Sequence, residues 1–319
     1  MRNEQGYEAK IRFDGPSLSF DFPGLKIGVA EYDEGPTGCT VLSLAEQAHL
    51  SVDIRGGSPG VFGDQIPWAD AICLVGGSIY GLEAIWGVKA EILKARNNSV
   101  QWNDIALVSG AVIYDYGPRG NSIHPDRALG RAAFRNARAG VFPLGACGAG
   151  RSGTVGKILG STRFLREPGG QGAAFRAVKD ARFLFCTVLN SLGGIVDRSG
   201  AVIRGFKDQE TGQRVPYHRI VTEFPEEARP TPTPAVTPNT TISALVTNVK
   251  LEPRVLRQLG RQVHASMARG IQPFHALNDG DVLFTLSTAK VDTPSLSEMA
   301  LGEICADLAW DAILSAVQG

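Results

Sequence analysis

The chain has 319 residues, 43% hydrophobic and 20% charged, and its 32 Lys and Arg are balanced by 32 Asp and Glu. That length can bury a sizeable core, and that apolar content excludes general disorder. A net charge of zero removes the basic excess that a nucleic-acid binder or a polybasic membrane anchor needs.

The first predicted strand is Lys26 to Ala30, followed by a turn at Asp33-Glu34-Gly35-Pro36-Thr37-Gly38. Two more strands are expected at Cys39 to Leu42 and Leu50 to Ile54. Ala69 to Val75 is a continuous apolar run closed by Gly76-Gly77, as in a buried strand. Leu82, Ile85, Val88, Ile92 and Leu93 then follow helical spacing. Ile105 to Tyr114 is strand-like, and Pro125 to Ala137 is helical, with Pro125 placed in the first turn. Phe183 to Leu189 and Ala201 to Arg204 are further strands.

Between Pro225 and Pro238 five of fourteen residues are proline, which predicts an extended, exposed linker. The 80 residues from Thr240 onward open on the apolar strand Ile242 to Val246. A helix starts at Pro253, with Val255, Leu259, Val263 and Met267 at four-residue steps and Gly270 as its stop. The strand Val282 to Leu286 and a closing helix carrying Leu301, Ile304, Leu308 and Ile313 complete the chain. A strand as apolar as Ile242 to Val246 needs cover on both faces. The tail is therefore expected to complete the main sheet system, so that 1–239 and 240–319 form one folded domain.

Cys39, Cys73, Cys147, Cys186 and Cys305 are odd in number, widely spaced and lack a CxxC pair. They read as small buried thiols in a reducing compartment, not as a disulfide or zinc framework. The N-terminus has no apolar signal region, and no run of 18 apolar residues occurs. A soluble, cytoplasmic protein is expected, with no nucleic-acid or membrane partner.

Several motif matches fail on physical grounds. Gly56-Gly57-Ser58-Pro59-Gly60 fits GxSxG, but Pro59 has no N–H to give an oxyanion, so a glycine-rich turn is the better reading. Gly148-Ala149-Gly150-Arg151-Ser152-Gly153 fits GxGxxG without a clean preceding strand or a following acid. Gly156-Lys157 lacks the remaining features of a phosphate loop. The five histidines have no metal-ligand spacing, and His264 reads as a packing or hydrogen-bonding residue. No metal or cofactor is implied.

One constellation survives. Asn239-Thr240-Thr241 sits where the linker meets an apolar strand, and Asp279-Gly280-Asp281 precedes another strand about forty residues later. These residues can be merely strand and turn. They can also form an N-terminal nucleophile. Cutting Asn239–Thr240 would give Thr240 an α-amine of pKa about 8, able to exchange a proton with its own hydroxyl, with two carboxylates to orient it.

The run Asn239-Thr-Thr-Ile-Ser-Ala-Leu-Val-Thr-Asn-Val, with Arg269-Gly-Ile-Gln-Pro-Phe-His275 and Asp279-Gly-Asp281, resembles the nylon-oligomer hydrolases. These are 6-aminohexanoate-oligomer endohydrolases, within the larger L-aminopeptidase/D-esterase and β-peptidyl aminopeptidase family. Phe20 to Gly24, Glu34 to Gly38, Ala71 to Ala84, Ala111 to Asp115 and Gly170 to Arg176 extend the resemblance. It covers nearly the whole chain except the first twenty residues and the proline linker.

The resemblance implies an α+β fold, a four-layer αββα sandwich of the DmpA/ornithine-acetyltransferase-like type. It implies self-cleavage between Asn239 and Thr240 into associated chains, with Thr240 the nucleophile for both that cut and substrate. It implies that Asp279 and Asp281 form a hydrogen-bonded pair orienting the Thr240 amine, that Lys157 tunes the nucleophile, and that Asn190 and Tyr114 hold the oxyanion. A homotetramer acting on internal amides of 6-aminohexanoate oligomers or similar aliphatic amides is expected. The aminopeptidase branch often uses serine, so Thr240 leans toward the nylon-hydrolase branch. The alternatives are an aminopeptidase acting on small or β-amino residues, and an unprocessed scaffold homologue.

Overall fold

In the computed structural model, residues 3–227, 239–292 and 296–318 are described. The expected linker lies largely in 228–238, outside the described residues, as does Pro238. The main strands are β1 (Leu25–Tyr32), β2 (Thr37–Ile54), β3 (Trp68–Val75), β4 (Val108–Val112), β5 (Gly170–Val178), β6 (Ala181–Asn190), β7 (Thr240–Val249) and β8 (Val282–Val291). The main helices are α1 (Glu83–Ala95), α2 (Arg127–Arg135), α3 (Pro253–Ser266) and α4 (Glu298–Ser315).

Side-chain alternation along the strands sets the layers. On β3, Ile72 and Leu74 enter one core while Ala71, Cys73 and Val75 enter another. On β6, Leu184, Cys186 and Val188 join the first core, and Phe183, Phe185 and Leu189 point into a third. The first core also takes Ile242, Ala244 and Val246 of β7 with Ile27 and Val29 of β1, so it lies between two layers of sheet. Ile85 and Val88 of α1 and Leu129 of α2 cover one outer face. Leu259 and Val263 of α3, with Leu301, Cys305 and Leu308 of α4, cover the other. Three cores separating four layers make an αββα sandwich.

The strand order is β5-β6-β7-β8-β2-β3-β4, with β1 also on β2. The two strands expected at Cys39 to Leu42 and Leu50 to Ile54 are a single 18-residue strand, β2. Its first part pairs with β1 and β3, its last part pairs with β8, and the register shifts between Ser43 and Ala48. The polar stretch Ser43 to Gln47 reads as a break, yet it carries the strand from one layer into the other. Pro125 lies just outside α2. The cap is Asp126, whose side chain accepts from the Leu129 N–H, so the helix begins two residues later than proline placement suggests. Strand β5 was not anticipated from periodicity. Its residues Gly170-Gln-Gly-Ala-Ala lack the β-branched signature and enter the sheet through backbone pairing with β6.

The tail completes the sheet as its apolar strand requires. β7 pairs antiparallel with β6 and parallel with β8, which in turn pairs with β2. All five cysteines are free thiols. Among the described residues, no helix is long and apolar enough to cross a membrane.

Candidate active site

Thr240 is the first residue of β7 and lies opposite Asn190, the last residue of β6, in the antiparallel register. The end of a fully buried strand holds Thr240 with only 4% exposure. Its hydroxyl is 2.5 Å from the carbonyl oxygen of Asn239, the residue before it. That same carbonyl accepts the Gly280 N–H at 2.8 Å. A short parallel bridge between Asn239 and Asp279 lines the two segments up, and the Asn239 N–H donates to the Asn278 carbonyl.

Glycine at 280 is needed for this approach. A Cβ there would lie 2.9 Å from Thr240 Oγ1 and 2.6 Å from the Ser58 carbonyl oxygen. The Gly56–Gly60 segment is indeed a glycine-rich turn: a Cβ on Gly56 would meet the Asp279 carbonyl oxygen and the Asp281 nitrogen at 2.3 Å each. The Ser58 N–H donates to the Asp279 carbonyl, and its hydroxyl turns to Leu277, so this turn braces the acidic loop.

Both acids are fully buried. Asp281 accepts the Thr241 N–H at 2.8 Å on one oxygen, and the His275 N–H and Nδ1, both at 3.1 Å, on the other. Asp279 accepts the Leu192 and Ala276 N–H groups, each at 3.3 Å. Both carboxylates are thus anchored by surrounding N–H groups, and Asp279 also feels the charge of Asp281. Burial first, and the Asp281 charge second, push the Asp279 carboxyl up to about 7, against its two backbone hydrogen bonds and the charge of Lys157.

Lys157 reaches the Asn190 main-chain oxygen at 2.8 Å and its Oδ1 at 2.9 Å. Burial pulls the Lys157 ammonium down to about 7, with Asp279 opposing and Arg166 adding to the fall. Asn190 Oδ1 also accepts the Thr154 N–H, which fixes its amide with Nδ2 toward Tyr114. Nδ2 donates at 2.9 Å to the Tyr114 carbonyl. Tyr114 is therefore tied to the site by its main chain, while its ring stands edge-on to Tyr116.

Beneath that wall Asp115 and Arg119 form a fully buried ion pair at 2.7 Å. Asp115 also accepts the Thr37 hydroxyl and the Gly77 N–H. The structure thus gathers Thr240, Asn239, Asp279, Asp281, Lys157 and Asn190 in one place. Sequence reasoning missed the Gly280 N–H and His275. A glycine between two acids and a histidine six residues before Asp281 were the available signals.

The rejected motifs are occupied otherwise. The Gly148 N–H in the GxGxxG match donates to Glu31 at 2.6 Å, so that donor is already taken by a buried carboxylate of the protein.

The sequence model of Peptidase family S58 matches residues 19–318. The chain belongs to peptidase family S58. It is 45% identical to a 6-aminohexanoate-oligomer endohydrolase of Paenarthrobacter ureafaciens, over 97% of this chain and 88% of that protein. Identity to an enzyme of the same description from an Agromyces species is also 45%, with the same coverage.

Among solved structures, a Burkholderia β-aminopeptidase superposes with a TM-score of 0.65 at 15% identity, over 96% of this chain and 89% of that one. The L-aminopeptidase D-Ala-esterase/amidase of Ochrobactrum anthropi, described as a variant of the Ntn hydrolase fold, gives 0.64 at 15% identity over 96% and 88%. The S58 chain is a hydrolase of amide bonds with this family's α+β fold.

Proposed function

We propose that this S58 hydrolase makes its own nucleophile by cutting Asn239–Thr240, and then cleaves internal amides of linear 6-aminohexanoate oligomers or similar flexible aliphatic amides. The observation that carries the reading is the Asn239 carbonyl, which has the Thr240 hydroxyl at 2.5 Å and the Gly280 N–H at 2.8 Å. Attack of Oγ1 forms a C–O bond to that carbonyl while the Gly280 N–H steadies the oxyanion. The C–N bond then breaks, the hydroxyl proton passes to the freed amine, and water hydrolyses the resulting ester. The products are an Asn239 carboxylate and a Thr240 α-amine.

In the cut enzyme that amine takes the proton from its own hydroxyl. Asp279, bridged to the cut position, and Asp281, bonded to the Thr241 N–H, hold the new N-terminus. Lys157 keeps the Asn190 amide in place beside the nucleophile, where the Nδ2 hydrogen not given to the Tyr114 carbonyl would meet the substrate oxyanion. Attack on a substrate amide gives an ester on Thr240 and releases the amine portion with the proton. Water then frees the acid. The 45% identity to two enzymes described as 6-aminohexanoate-oligomer endohydrolases supports this substrate class.

The test is intact mass of the wild type beside Thr240→Ala, followed by assay on linear 6-aminohexanoate oligomers with free and blocked amino ends. Two fragments in the wild type, one inactive chain in the variant, and cleavage of both substrates are expected. Activity on free ends alone would replace the endo-reading with an aminopeptidase. A wild type that stays intact would remove the mechanism.

A further inference from the structure

On the side of Asp281 away from Asp279 stands a stack of groups that the chemistry above does not use. His275 Nδ1 lies 3.1 Å from Asp281 Oδ2, and the His275 ring meets the His264 ring edge-on at 4.5 Å between centroids. His264 Nδ1 lies 2.9 Å from Asp53 Oδ2, and Arg55 Nε is 2.6 Å from that same oxygen.

The order Arg55–Asp53–His264–His275–Asp281 therefore runs from the partly exposed end of β2, through α3, to the loop that holds Thr241. Burial raises the Asp53 carboxyl, but the hydrogen bonds from His264 and Arg55 outweigh it and hold it at about 2. Asp53 thus stays ionised and accepts from His264 Nδ1–H. Burial also lowers the His264 pKa, keeping that ring neutral.

We infer that His275 is a positioning residue of the catalytic apparatus, whose Nδ1–H, seated against the His264–Asp53 pair, keeps Asp281 aimed at the strand end that carries the nucleophile. The inference rests on the Thr240 reading and deepens it. Asp281 has two oxygens and two tasks: one fixes the Thr241 N–H, the other is fixed by His275. A carboxylate anchored on both oxygens cannot swing, so the amide it grips, and the residue before it, cannot either.

His275 holds φ of 59°, a left-handed conformation that asparagine tolerates and glycine adopts without strain. The charged and titratable groups around Asp281 and His275 are Asp279 on the same loop, His264 on α3, Asp53 on β2 with Arg55 just past its end, and Lys157 beside Asp279. None of them supplies a side-chain donor to Asp281 Oδ2 in place of the imidazole, which leaves that oxygen the main-chain N–H of residue 275 alone.

The test compares His275→Gly, which deletes the donor without backbone strain, with His275→Asn, which keeps an N–H at the same place. Self-cleavage is followed in cell-free translation, and kcat and KM are followed on a linear 6-aminohexanoate trimer. The glycine variant is expected to lose about 10- to 100-fold in self-cleavage rate and kcat, with KM unchanged, because Asp281 Oδ2 keeps only the main-chain N–H of residue 275 and the carboxylate is held less firmly. Asparagine is expected to restore at least half of that loss on a logarithmic scale.

A folded glycine variant with wild-type self-cleavage rate and kcat overturns the inference, as does a folded asparagine variant no better than glycine. Thr240→Ala run in parallel separates the two readings. If it is inert while His275→Gly behaves as wild type, only this inference falls. If Thr240→Ala is still cut and active, the nucleophile reading falls and takes this one with it.

Discussion

Gly280→Ala isolates the step on which the proposed chemistry begins. The added methyl carbon would sit 2.6 Å from the Ser58 carbonyl oxygen and 2.9 Å from Thr240 Oγ1, against a comfortable separation of about 3.5 Å. Ser58 cannot yield easily, since its own N–H is bonded to the Asp279 carbonyl in the same loop. The loop must therefore move by several tenths of an ångström, or the Thr240 hydroxyl must turn away. Either change weakens the Gly280 N–H contact to the Asn239 carbonyl.

Losing an oxyanion donor outright costs about 3–4 kcal/mol in the barrier. Partial displacement should slow self-cleavage by about 10- to 100-fold, with an overpacking cost of about 1–3 kcal/mol in stability. The assay is the fraction of uncut chain against time in cell-free translation. Gly15→Ala serves as the control, because a Cβ at Gly15 meets nothing within 4 Å. Cleavage of Gly280→Ala at the wild-type rate would refute the claim that the methyl-free edge of this loop forms the cutting site.

Two further predictions concern stability, measured by urea unfolding in a Thr240→Ala background so that one chain unfolds. Asp279 holds its proton up to about 7 in the fold, whereas an unfolded aspartate releases it near 4, so its stabilising contribution is complete below about pH 4 and is lost as pH rises through 7. Asp279→Asn should remove that loss, gaining on its parent between pH 4.5 and 7.5 by at most about 4 kcal/mol; a pH-independent difference would refute it. Arg119→Ala leaves the buried Asp115 charge with only the Thr37 hydroxyl and the Gly77 N–H, and should cost about 3–5 kcal/mol. A cost below about 1 kcal/mol would show that those neutral donors suffice.

The strands were legible because a short continuous apolar run is a local signal, and their layering came from the family resemblance. Ala69 to Val75, Phe183 to Leu189 and Ile242 to Val246 each announced a strand, and the apolar content of the last placed the tail in the sheet. Two kinds of feature were not legible. The polar middle of β2 reads as a break because no single strand shows that it passes between layers. The Gly280 N–H and the His275–Asp281 contact depend on how a loop folds back on itself, which no periodicity encodes. Asp279 and Asp281 were marked by resemblance and by residue type. Their division of labour, one set among amides and Lys157, the other gripped by a histidine, emerges only from the folded loop.

The placement of β7 and β8 between β6 and β2 has a kinetic consequence once the chain is cut. Before the cut, refolding is a unimolecular event in which the last 80 residues are tethered to the sheet gap they must fill. Afterwards the same gap must be filled by a separate molecule, at a rate set by concentration. The smaller piece holds β7 and β8, which pair with each other but lack both outer neighbours. Cutting would therefore turn a reversible fold into one protected chiefly by slow unfolding, and dilution after denaturation would separate the two states of the protein as cleanly as a gel.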